Sequence, residues 1–479
     1  MLKIEHKICV FDQNVRWCEK KVVTLPPISN QLDLFMKKIL TFFAAIATTI
    51  SLYAEGYQVN SLSTKQNGMG HTGTALKLGA ESMIFNPAGM GFLDKKLDVN
   101  ASFTAIFSSG EATTPDGKVY KTDSPASTPI NFNLGFSIYD NLKAGVSFYT
   151  PYGSNINWTD NWGGALLNQK VKLTTYTVQP TAAWRILPNL SVGAGLMVTW
   201  GTVDLNKGLI SPASLDMVLQ SQGMPAMFGD VVPASVNLKG TANVTLGYNV
   251  GVLYDVNDKI SIGANYRSKM MMTVDAGDAN VSYANDIAKG FLEDKVGLID
   301  KAQFTAEMPC VSILNLGVSY KPISSLTLAA DVQYSFWSQY ENLDINFLSS
   351  HLAAFNQHIE KNYKNSFTYH LGAQYALTNR FDLRAGVMID KAPMRDDNYN
   401  PETPGMTKIE PSVGFSFRPL KGFSIDVAML YVAGLGRDNA KCSYEDLLMK
   451  AAQMPYVKTF EANYKIHAFC PSIGASFWF

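Results

Sequence analysis

Charged residues and long apolar runs are both scarce in this chain. Asp, Glu, Lys and Arg make up 17% of the 479 residues, and 40 basic residues balance 40 acidic ones. This balance argues against binding of nucleic acid, which needs a positive electrostatic field. Outside one N-terminal segment, no apolar run reaches the roughly 18 residues of a membrane-spanning helix, which excludes a multi-helix membrane protein.

Cysteine is rare as well, and its five positions follow no metal-binding pattern. Cys9 and Cys18 lie near the N-terminus, whereas Cys310, Cys442 and Cys470 are far apart. Because no Cys-x-x-Cys spacing occurs, we expect neither a metal site nor a cofactor. The last three cysteines permit at most one disulfide bond, and nothing in the sequence requires one.

Glycine and the aromatic residues, in contrast, are plentiful, with 36 Gly, 26 Phe and 22 Tyr. This composition argues against a disordered chain and against a coiled coil. Two classes remain: a large water-soluble β protein and an outer-membrane β-barrel.

The N-terminal region contains a predicted signal peptide at residues 36–54. Two lysines follow Met36, the apolar run Ile39 to Leu52 comes next, and Ala54 ends the segment. A short cationic head, a short apolar stretch and a small final residue are typical of a secretory leader. We interpret residues 1–35 as an upstream extension from a mis-chosen start codon; the alternative is a true N-terminal domain.

Alternation of apolar and polar residues dominates the chain from Leu97 onward. From Ile130 to Ile138, for example, Ile, Phe and Leu alternate with Asn, Gly and Ser. This period of two indicates strands with one apolar and one polar face. The predicted strands are residues 97–108, 129–139, 142–149, 174–185, 190–204, 240–255, 259–272, 303–320, 326–340, 365–376, 381–390, 408–418, 423–435 and 464–479.

Short and long connections alternate strictly between these fourteen predicted strands. Residues 140–141 form a tight turn, for example, whereas residues 205–239 form a long loop. Barrels of the outer membrane alternate short periplasmic turns with long external loops, and a soluble sandwich is not expected to do so. We therefore predict an all-β fold, a 14-stranded antiparallel transmembrane β-barrel over residues 97–479. Its apolar faces point to lipid and its polar faces to the lumen.

The residues between the leader and the first strand carry a family resemblance. They contain a Gly56-Tyr57-Gln58 start, a glycine-rich middle from Gly68 to Ala75, and the run Phe85-Asn86-Pro87-Ala88. This stretch resembles the N-terminus of the FadL/TodX outer-membrane transport family. The middle departs from the family pattern, because His71 lies among Gly68, Gly70 and Gly73.

The resemblance implies that residues 55–96 fold inside the lumen as a hatch, with Asn86, Pro87, Ala88, Gly68, Gly70 and Gly73 as its motif. It also implies passive transport of hydrophobic small molecules across the outer membrane, with long-chain fatty acids as the expected ligand. The family opens laterally at its third strand. Pro151 and Gly153 are our candidates for that kink, because proline cannot donate a hydrogen bond to the strand ladder. Four other prolines are alternative sites of irregularity: Pro180, Pro309, Pro411 and Pro471.

Several residues are candidates for ligand binding. By strand phase, Arg267 and Lys269 point inward, where a cation could bind an anionic headgroup. In the loop 205–239, Met224, Met227 and Phe228 are candidates for external capture, since methionine adapts to varied ligands. The alternatives are that luminal cations pair with Asp331, Asp382 or Asp426, and that loop residues merely pack on the barrel rim. Packing on the barrel rim is also the alternative for residues 343–359, where the helical spacing of the apolar residues predicts a short loop helix.

The predicted partners are the hydrophobic ligand, outer-membrane lipid and the barrel assembly machinery, which the terminal Phe479 would contact as a C-terminal assembly signal. A second hypothesis is an outer-membrane lipid hydrolase. His370 is the one histidine in the middle of a predicted strand, with its side chain expected to point inward. However, no Gly-x-Ser-x-Gly elbow accompanies it, so we predict that the protein is not an enzyme.

Overall fold

The computed structural model describes residues 3–12, 15–24 and 56–479, except 298–299, 396–397, 404 and 452. The chain divides into two compact units, Met1–Leu52 and Tyr53–Phe479. In the first unit, Lys3–Asp12 and Val15–Thr24 pair as an antiparallel hairpin. The predicted signal peptide lies outside the described residues, and the interpretation of residues 1–35 stays a prediction.

The second unit contains a closed antiparallel barrel, which confirms the predicted fold. Its 14 strands follow chain order around the sheet, eight of them interrupted once, and the last pairs with the first. The strands are β1 (Leu97–Thr104 and Phe107–Thr113), β2 (Val119–Lys121 and Ile130–Tyr139), β3 (Leu142–Tyr149 and Gly153–Asn157), β4 (Lys170–Leu187), β5 (Leu190–Gly208), β6 (Ala234–Asn257), β7 (Ile260–Arg267 and Met270–Tyr283), β8 (Lys301–Cys310 and Ile313–Ile323), β9 (Leu326–Ser335 and Asn342–Phe347), β10 (Gln357–Glu360 and Ser366–Ala376), β11 (Phe381–Asp390), β12 (Lys408–Leu420), β13 (Phe423–Gly434 and Arg437–Glu445) and β14 (Val457–Trp478).

Helices are short and lie outside the barrel wall's continuous strands. Among the described residues, no helix is both long and apolar enough to cross a membrane. The α-helices are α1 (Thr64–Asn67), α2 (Ser82–Phe85), α3 (Pro212–Ser221), α4 (Asp286–Phe291) and α5 (Leu447–Ala451), and a π-helical turn covers Leu292–Val296; the 3₁₀ helices are Gly79–Glu81, Pro87–Phe92, Trp337–Gln339 and Ser350–Phe355.

The two faces of the wall have the predicted orientation. In β2, Phe132 and Phe136 are 42% and 40% exposed, whereas Asn133 and Gly135 between them are buried. The same alternation continues in β13, where Ile425 and Val427 are exposed and Asp426 is buried. An exterior of this kind is stable against hydrocarbon and unfavourable in water, so it fits a membrane barrel.

The strands extend further into the long connections than predicted. β6 begins at Ala234 instead of residue 240, and β14 begins at Val457 instead of residue 464. In the added part of β6 the alternation is reversed, because the apolar Ala234, Val236 and Leu238 are buried and not exposed. At the start of β14, residues 457–459 are all exposed, so the alternation is lost there while the ladder of hydrogen bonds continues.

The helical spacing in residues 343–359 proved to be the wrong pattern. Asn342–Phe347 and Gln357–Glu360 pair as strands, and only Ser350–Phe355 between them is a 3₁₀ helix. Tertiary pairing overrides local spacing here, because each strand extends an existing ladder.

Depth in the bilayer should decide the cost of a charge on the outer face. We expect Val427→Arg, within the exposed apolar row from Ile425 to Tyr431 of β13, to lower the free energy of unfolding by about 2–4 kcal/mol. Leu420→Arg, next to the turn between β12 and β13, should cost about 1 kcal/mol or less. Urea titrations of protein folded into lipid vesicles measure both. Equal costs at the two positions would contradict the assigned orientation.

Candidate functional site

Residues 56–93 form a mostly buried segment that contacts the inner faces of distant strands. Gly73 N and Thr74 N donate to Asp331 Oδ2 of β9, at 2.7 and 2.8 Å. Thr64 Oγ1 lies 2.6 Å from Ser472 Oγ of β14. Contacts with strands so far apart around the wall tie this segment to the barrel interior.

Asn86 forms the central junction of the segment. Its Oδ1 accepts from Ala88 N at 3.1 Å, which caps the 3₁₀ helix that Pro87 begins. Its Nδ2 donates to Thr74 O at 2.7 Å and to Val252 O of β6 at 3.0 Å. One side chain therefore joins two parts of the segment to the wall, which explains why an amide and not a carboxylate suits this position.

The glycines of the motif permit close backbone approach. A Cβ on Gly68 would lie 2.7 Å from Gly414 Cα of β12. Gly70 has a φ of 61°, in the left-handed region that favours glycine. A Cβ on Gly73 would lie 2.6 Å from the ring of Phe85. Larger residues at these positions would displace the segment from the wall.

Buried charges join the segment to the strands β11 to β13. Lys65 Nζ lies 3.7 Å from Glu81 and 3.8 Å from Asp426. Arg384 lies 3.6 Å from Asp382 and 3.8 Å from Asp426, and Arg418 also pairs with Asp382. Burial raises the pKa of the Glu81 carboxyl. The predicted pairing of luminal cations with Asp382 and Asp426 is confirmed.

An apolar cavity of about 100 Å³ lies on the loop side of the segment. Its lining is almost entirely hydrocarbon. Lys361 and Glu402 also line it, and both are buried, with Nζ and Oε2 2.7 Å apart. The main apolar lining residues are Val171, Leu205, Leu238, Met272, Phe304 and Ile345.

No pattern in the sequence predicts this ion pair. Lys361 and Glu402 lie in two different predicted loops, where charged residues are normally solvated. Only the fold brings them together at an apolar cavity.

A second cavity, of about 560 Å³, lies where β3 breaks at residues 150–152. Before the break, residues Leu142–Tyr149 of β3 pair with β2. After the break, residues Gly153–Asn157 pair with β4 but, within the described chain, form no ladder with β2. The N-terminal segment forms hydrogen bonds with backbone groups at the break. Val59 N donates to Pro151 O, and Gly153 N donates to Tyr57 O, both at 2.9 Å.

Arg267 is buried as predicted, but it holds the segment. Its Nη2 donates to Ile84 O at 2.9 Å, and its guanidinium lies 5.7 Å from the Tyr149 ring centroid. The predicted inward orientation of Lys269 is wrong, because Lys269 is exposed. β7 is interrupted at residues 268–269, and this irregularity shifts the phase so that Met270 and not Lys269 points inward.

The loop candidates have three different environments. Phe228 is buried, Met224 is half-buried, and Met227 is 37% exposed. The carboxylate of Asp216 in α3 accepts from the backbone N–H of Phe228 and orders the turn. The lining of the apolar cavity does not include these loop residues.

His370 points inward and contacts the segment. Its Nδ1 lies 2.9 Å from Gly70 O, and its ring centroid lies 6.5 Å from that of His71. These contacts give His370 a packing role against the segment. Among the described residues, no group of acidic, histidine and cysteine side chains could hold a metal ion, and Cys310, Cys442 and Cys470 are not disulfide-bonded.

Replacing Asn86 should uncouple the segment from the wall. In Asn86→Asp the carboxylate still accepts from Ala88 N but cannot donate to the buried carbonyls of Thr74 and Val252. We expect the free energy of unfolding to fall by about 3 kcal/mol. Asn141→Asp, at an exposed turn, is the matched control and should stay within about 0.5 kcal/mol of the wild type. Urea unfolding in vesicles measures both.

Acid should weaken the packing around His71. Burial, with a smaller contribution from His370, lowers the pKa of the His71 imidazole to about 3. A lowered pKa in the folded state means that stability is present above about pH 6.5 and is lost as the pH falls below it. Between pH 7 and pH 4 we expect a loss of about 3 kcal/mol. His71→Asn tolerates the positive φ and should reduce this loss of stability. If urea unfolding shows an equal loss in the wild type and in His71→Asn, then His71 is not the group responsible.

Comparison with known proteins agrees with this architecture. The family model described as "Outer membrane protein transport protein (OMPP1/FadL/TodX)" matches residues 44–479. The long-chain fatty acid transport protein of Escherichia coli K12 is 22% identical over 427 residues, which cover 85% of this chain and 93% of that protein. Outer membrane protein P1 of Haemophilus influenzae is 24% identical over 424 residues, covering 81% and 89%.

Two crystal structures have the same fold. A Pseudomonas aeruginosa FadL homologue has a TM-score of 0.73 at 20% identity, covering 89% of this chain and all 100% of that one. The toluene transporter TodX of Pseudomonas putida has a TM-score of 0.66 at 15% identity, covering 90% and 99%. Since the family model spans most of the chain, the protein belongs to the OMPP1/FadL/TodX family of outer-membrane transport proteins, and it is not an enzyme.

Proposed function

We propose that the protein carries hydrophobic small molecules, and long-chain fatty acids in particular, passively across the outer membrane. The ligand is captured at the external loops, enters the apolar cavity and leaves sideways through the wall at the β3 break. Residues 55–96 act as a hatch that prevents a continuous water-filled pore.

The apolar cavity is the observation that carries this proposal. Each methylene group that leaves water contributes about 0.8 kcal/mol, so a long acyl chain gains on the order of 10 kcal/mol in a dry site. A polar pore would give such a molecule no reason to enter. The cavity, with its hydrocarbon lining, provides a favourable environment between the loops and the segment.

Lys361 supports an acidic ligand. It is 2% exposed, lies at the cavity and is neutralised by Glu402. A fatty-acid carboxylate could replace Glu402 as the partner of the ammonium group, with a charge-assisted hydrogen bond. Lys361 therefore takes the headgroup role that we first expected of Arg267 and Lys269.

Two relatives suggest different ligands. The Escherichia coli relative is named a long-chain fatty acid transport protein, and TodX is named a toluene transporter. The buried cation favours the fatty acid, because an aromatic hydrocarbon has no group for it to bind. The exposed Met227 and the half-buried Met224 near α3 provide the adaptable apolar surface for first capture, whereas Phe228 is buried and is not part of this surface.

The break in β3 supports a lateral exit. Pro151 and Gly153 flank Tyr152, and these three residues pair with the N-terminal segment and, in the described structure, not with β2. The second cavity extends from this gap to the luminal residues Leu430 and Cys470. A ligand leaving here enters outer-membrane lipid without crossing water. At the chain's end, the exposed Phe479 fits recognition by the barrel assembly machinery.

Blocking the gap tests the exit. Gly153→Trp fills the second cavity, where a Cβ meets Leu173 O at 3.2 Å. Gly290→Trp is the control, since a Cβ there meets nothing within 4 Å. We expect Gly153→Trp to keep oleate binding, measured by tryptophan fluorescence against each variant's own baseline, and to lose most oleate uptake into cells. Unchanged uptake would contradict the lateral exit, and no binding by the wild type would contradict the function.

Neutralising the ion pair tests the ligand class. Lys361→Met with Glu402→Gln removes both charges and leaves no unpaired buried ion. We expect oleate affinity to fall about 10- to 100-fold, as for loss of a hydrogen bond to a charged group. The affinity for oleyl alcohol should not change. If oleate and oleyl alcohol lose affinity equally, the cation does not recognise the carboxylate.

A further inference from the structure

The wall has a second discontinuity, between β6 and β7. These strands pair from Ala234 to Lys239 and again from Asn249 to Asn257. Between these two ladders, residues 240–247 of β6 and 269–277 of β7 form no ladder pair in the described structure. Ser268 N closes the lower end by donating to Tyr248 O at 2.9 Å. We call this stretch the β6–β7 seam.

The missing pairs are confined to the seam. On its other side, β6 pairs with β5 along this stretch, apart from one bulge. β7 likewise pairs with β8 from Met270 to Asn280, apart from an irregularity between Val274 and Gly277. Each strand therefore keeps a ladder with its other neighbour, whereas the boundary between β6 and β7 has no ladder pairs along this stretch. In a membrane such a boundary is costly, because lipid cannot satisfy backbone polar groups.

Side chains fill the seam in place of the ladder. A Cβ on Gly240 would lie 2.7 Å from Val274 Cγ1, and a Cβ on Gly247 would lie 2.6 Å from Met270 Cγ. The side chains of Val274 and Met270 in β7 thus pack directly against the backbone of Gly240 and Gly247 in β6. On the outer surface, Asn243 Nδ2 donates to Asp275 Oδ2 at 2.6 Å across the seam. These contacts hold the seam closed, and rotation of a few side chains can open it.

The seam separates two apolar regions. On the inside, Ala242, Met272 and Val274 line the apolar cavity. On the outside, Val244 and Leu246 are 64% and 63% exposed. They continue the apolar exterior of β6 that begins at Val256 near the turn, so the part of the seam at Val244 and Leu246 faces the outer part of the bilayer. The exposed Asn243 and Asp275 mark the polar upper end of the seam. A path through it would connect cavity and lipid without passing water.

We propose that the β6–β7 seam is a second lateral portal, through which uncharged hydrophobic molecules exchange between the apolar cavity and the outer part of the bilayer. This proposal rests on the proposed transport function. The Met and Val side chains that fill the seam favour a neutral hydrocarbon, and Lys269 lies on the outer surface at the lower end of the seam and not among them. The portal therefore differs in place and ligand from the exit at β3.

A reversible lock tests the portal. Gly240→Cys with Val274→Cys places two sulfurs across the seam, because the Cβ position at 240 lies within reach of residue 274. The control pair is Thr177→Cys with Thr199→Cys, across the hydrogen-bonded boundary of β4 and β5, where the two Oγ1 atoms are 2.8 Å apart. The wild type under the same oxidant accounts for its three buried cysteines.

The probe is 1-bromonaphthalene dissolved in the vesicle bilayer, which quenches tryptophan fluorescence by its heavy atom. In every protein tested, the other tryptophans are replaced by phenylalanine, because the lipid-facing Trp184 is 50% exposed and would be quenched directly from the bilayer. Trp337 then reports the cavity through Tyr57, whose ring centroid is 5.1 Å away. We expect oxidation to slow quenching at least fivefold in the seam variant, and a reductant to restore it. The control pair and Gly153→Phe, which fills the β3 gap without adding a tryptophan, should stay fast. If locking changes nothing, the portal is wrong; if the wild-type cavity takes up no hydrophobic ligand, the transport function fails too.

Hydrogen exchange tests the seam without any substitution. Seam-facing amides between residues 240 and 247 should exchange at least tenfold faster than those between residues 249 and 257, which lie in a complete ladder. Equally slow exchange would mean that the ladder forms, and would overturn the portal. Asn243→Ala, at an exposed position, removes the hydrogen bond to Asp275 and should speed probe entry two- to threefold. An unchanged rate would show that the seam does not open there.

Discussion

The backbone hydrogen bond in lipid is the constraint on which this protein depends. Hydrocarbon offers no partner to an exposed N–H or C=O group, so strands can cross the membrane only if each pairs with two neighbours. Pairing of β14 with β1 meets this condition by removing both sheet edges. Closure also encloses a lumen, and its polar side chains need partners of their own. The N-terminal segment provides many of them.

Polar contacts hold the segment in the lumen together with small apolar clusters, such as that of Ala80, Met83, Met90 and Ala183. Asn86, Asp331 and the charges around Lys65 each join the segment to a different part of the wall. Such groups are costly to bury alone and stabilising only as a complete set. This coupling makes the segment part of the barrel's stability.

The two proposed routes lie where complete pairing is broken. At Pro151, β3 leaves β2 and pairs with the segment. At the β6–β7 seam, side chains of Met270 and Val274 replace a ladder. Both places adjoin a cavity, and we propose each of them as a path by which a hydrophobic molecule avoids water.

The sequence by itself determined the strand number and the direction of the faces. Those features are local, because alternation with period two and strictly alternating loop lengths can each be read along the chain. The choice of Pro151 among several strand prolines came from the family resemblance. The fold also explains why strand ends were underestimated, since a ladder can continue after the alternation stops.

Only the tertiary structure decided which charges meet. One interruption at residues 268–269 turns Lys269 outward while Arg267 remains buried, and periodicity cannot reveal such a phase shift. Lys361 and Glu402 meet from separate connections, and the seam is a relation between two strands that each pair with their other neighbour. Contacts between distant residues depend on the register and closure of the whole barrel, and no short stretch of sequence contains that information.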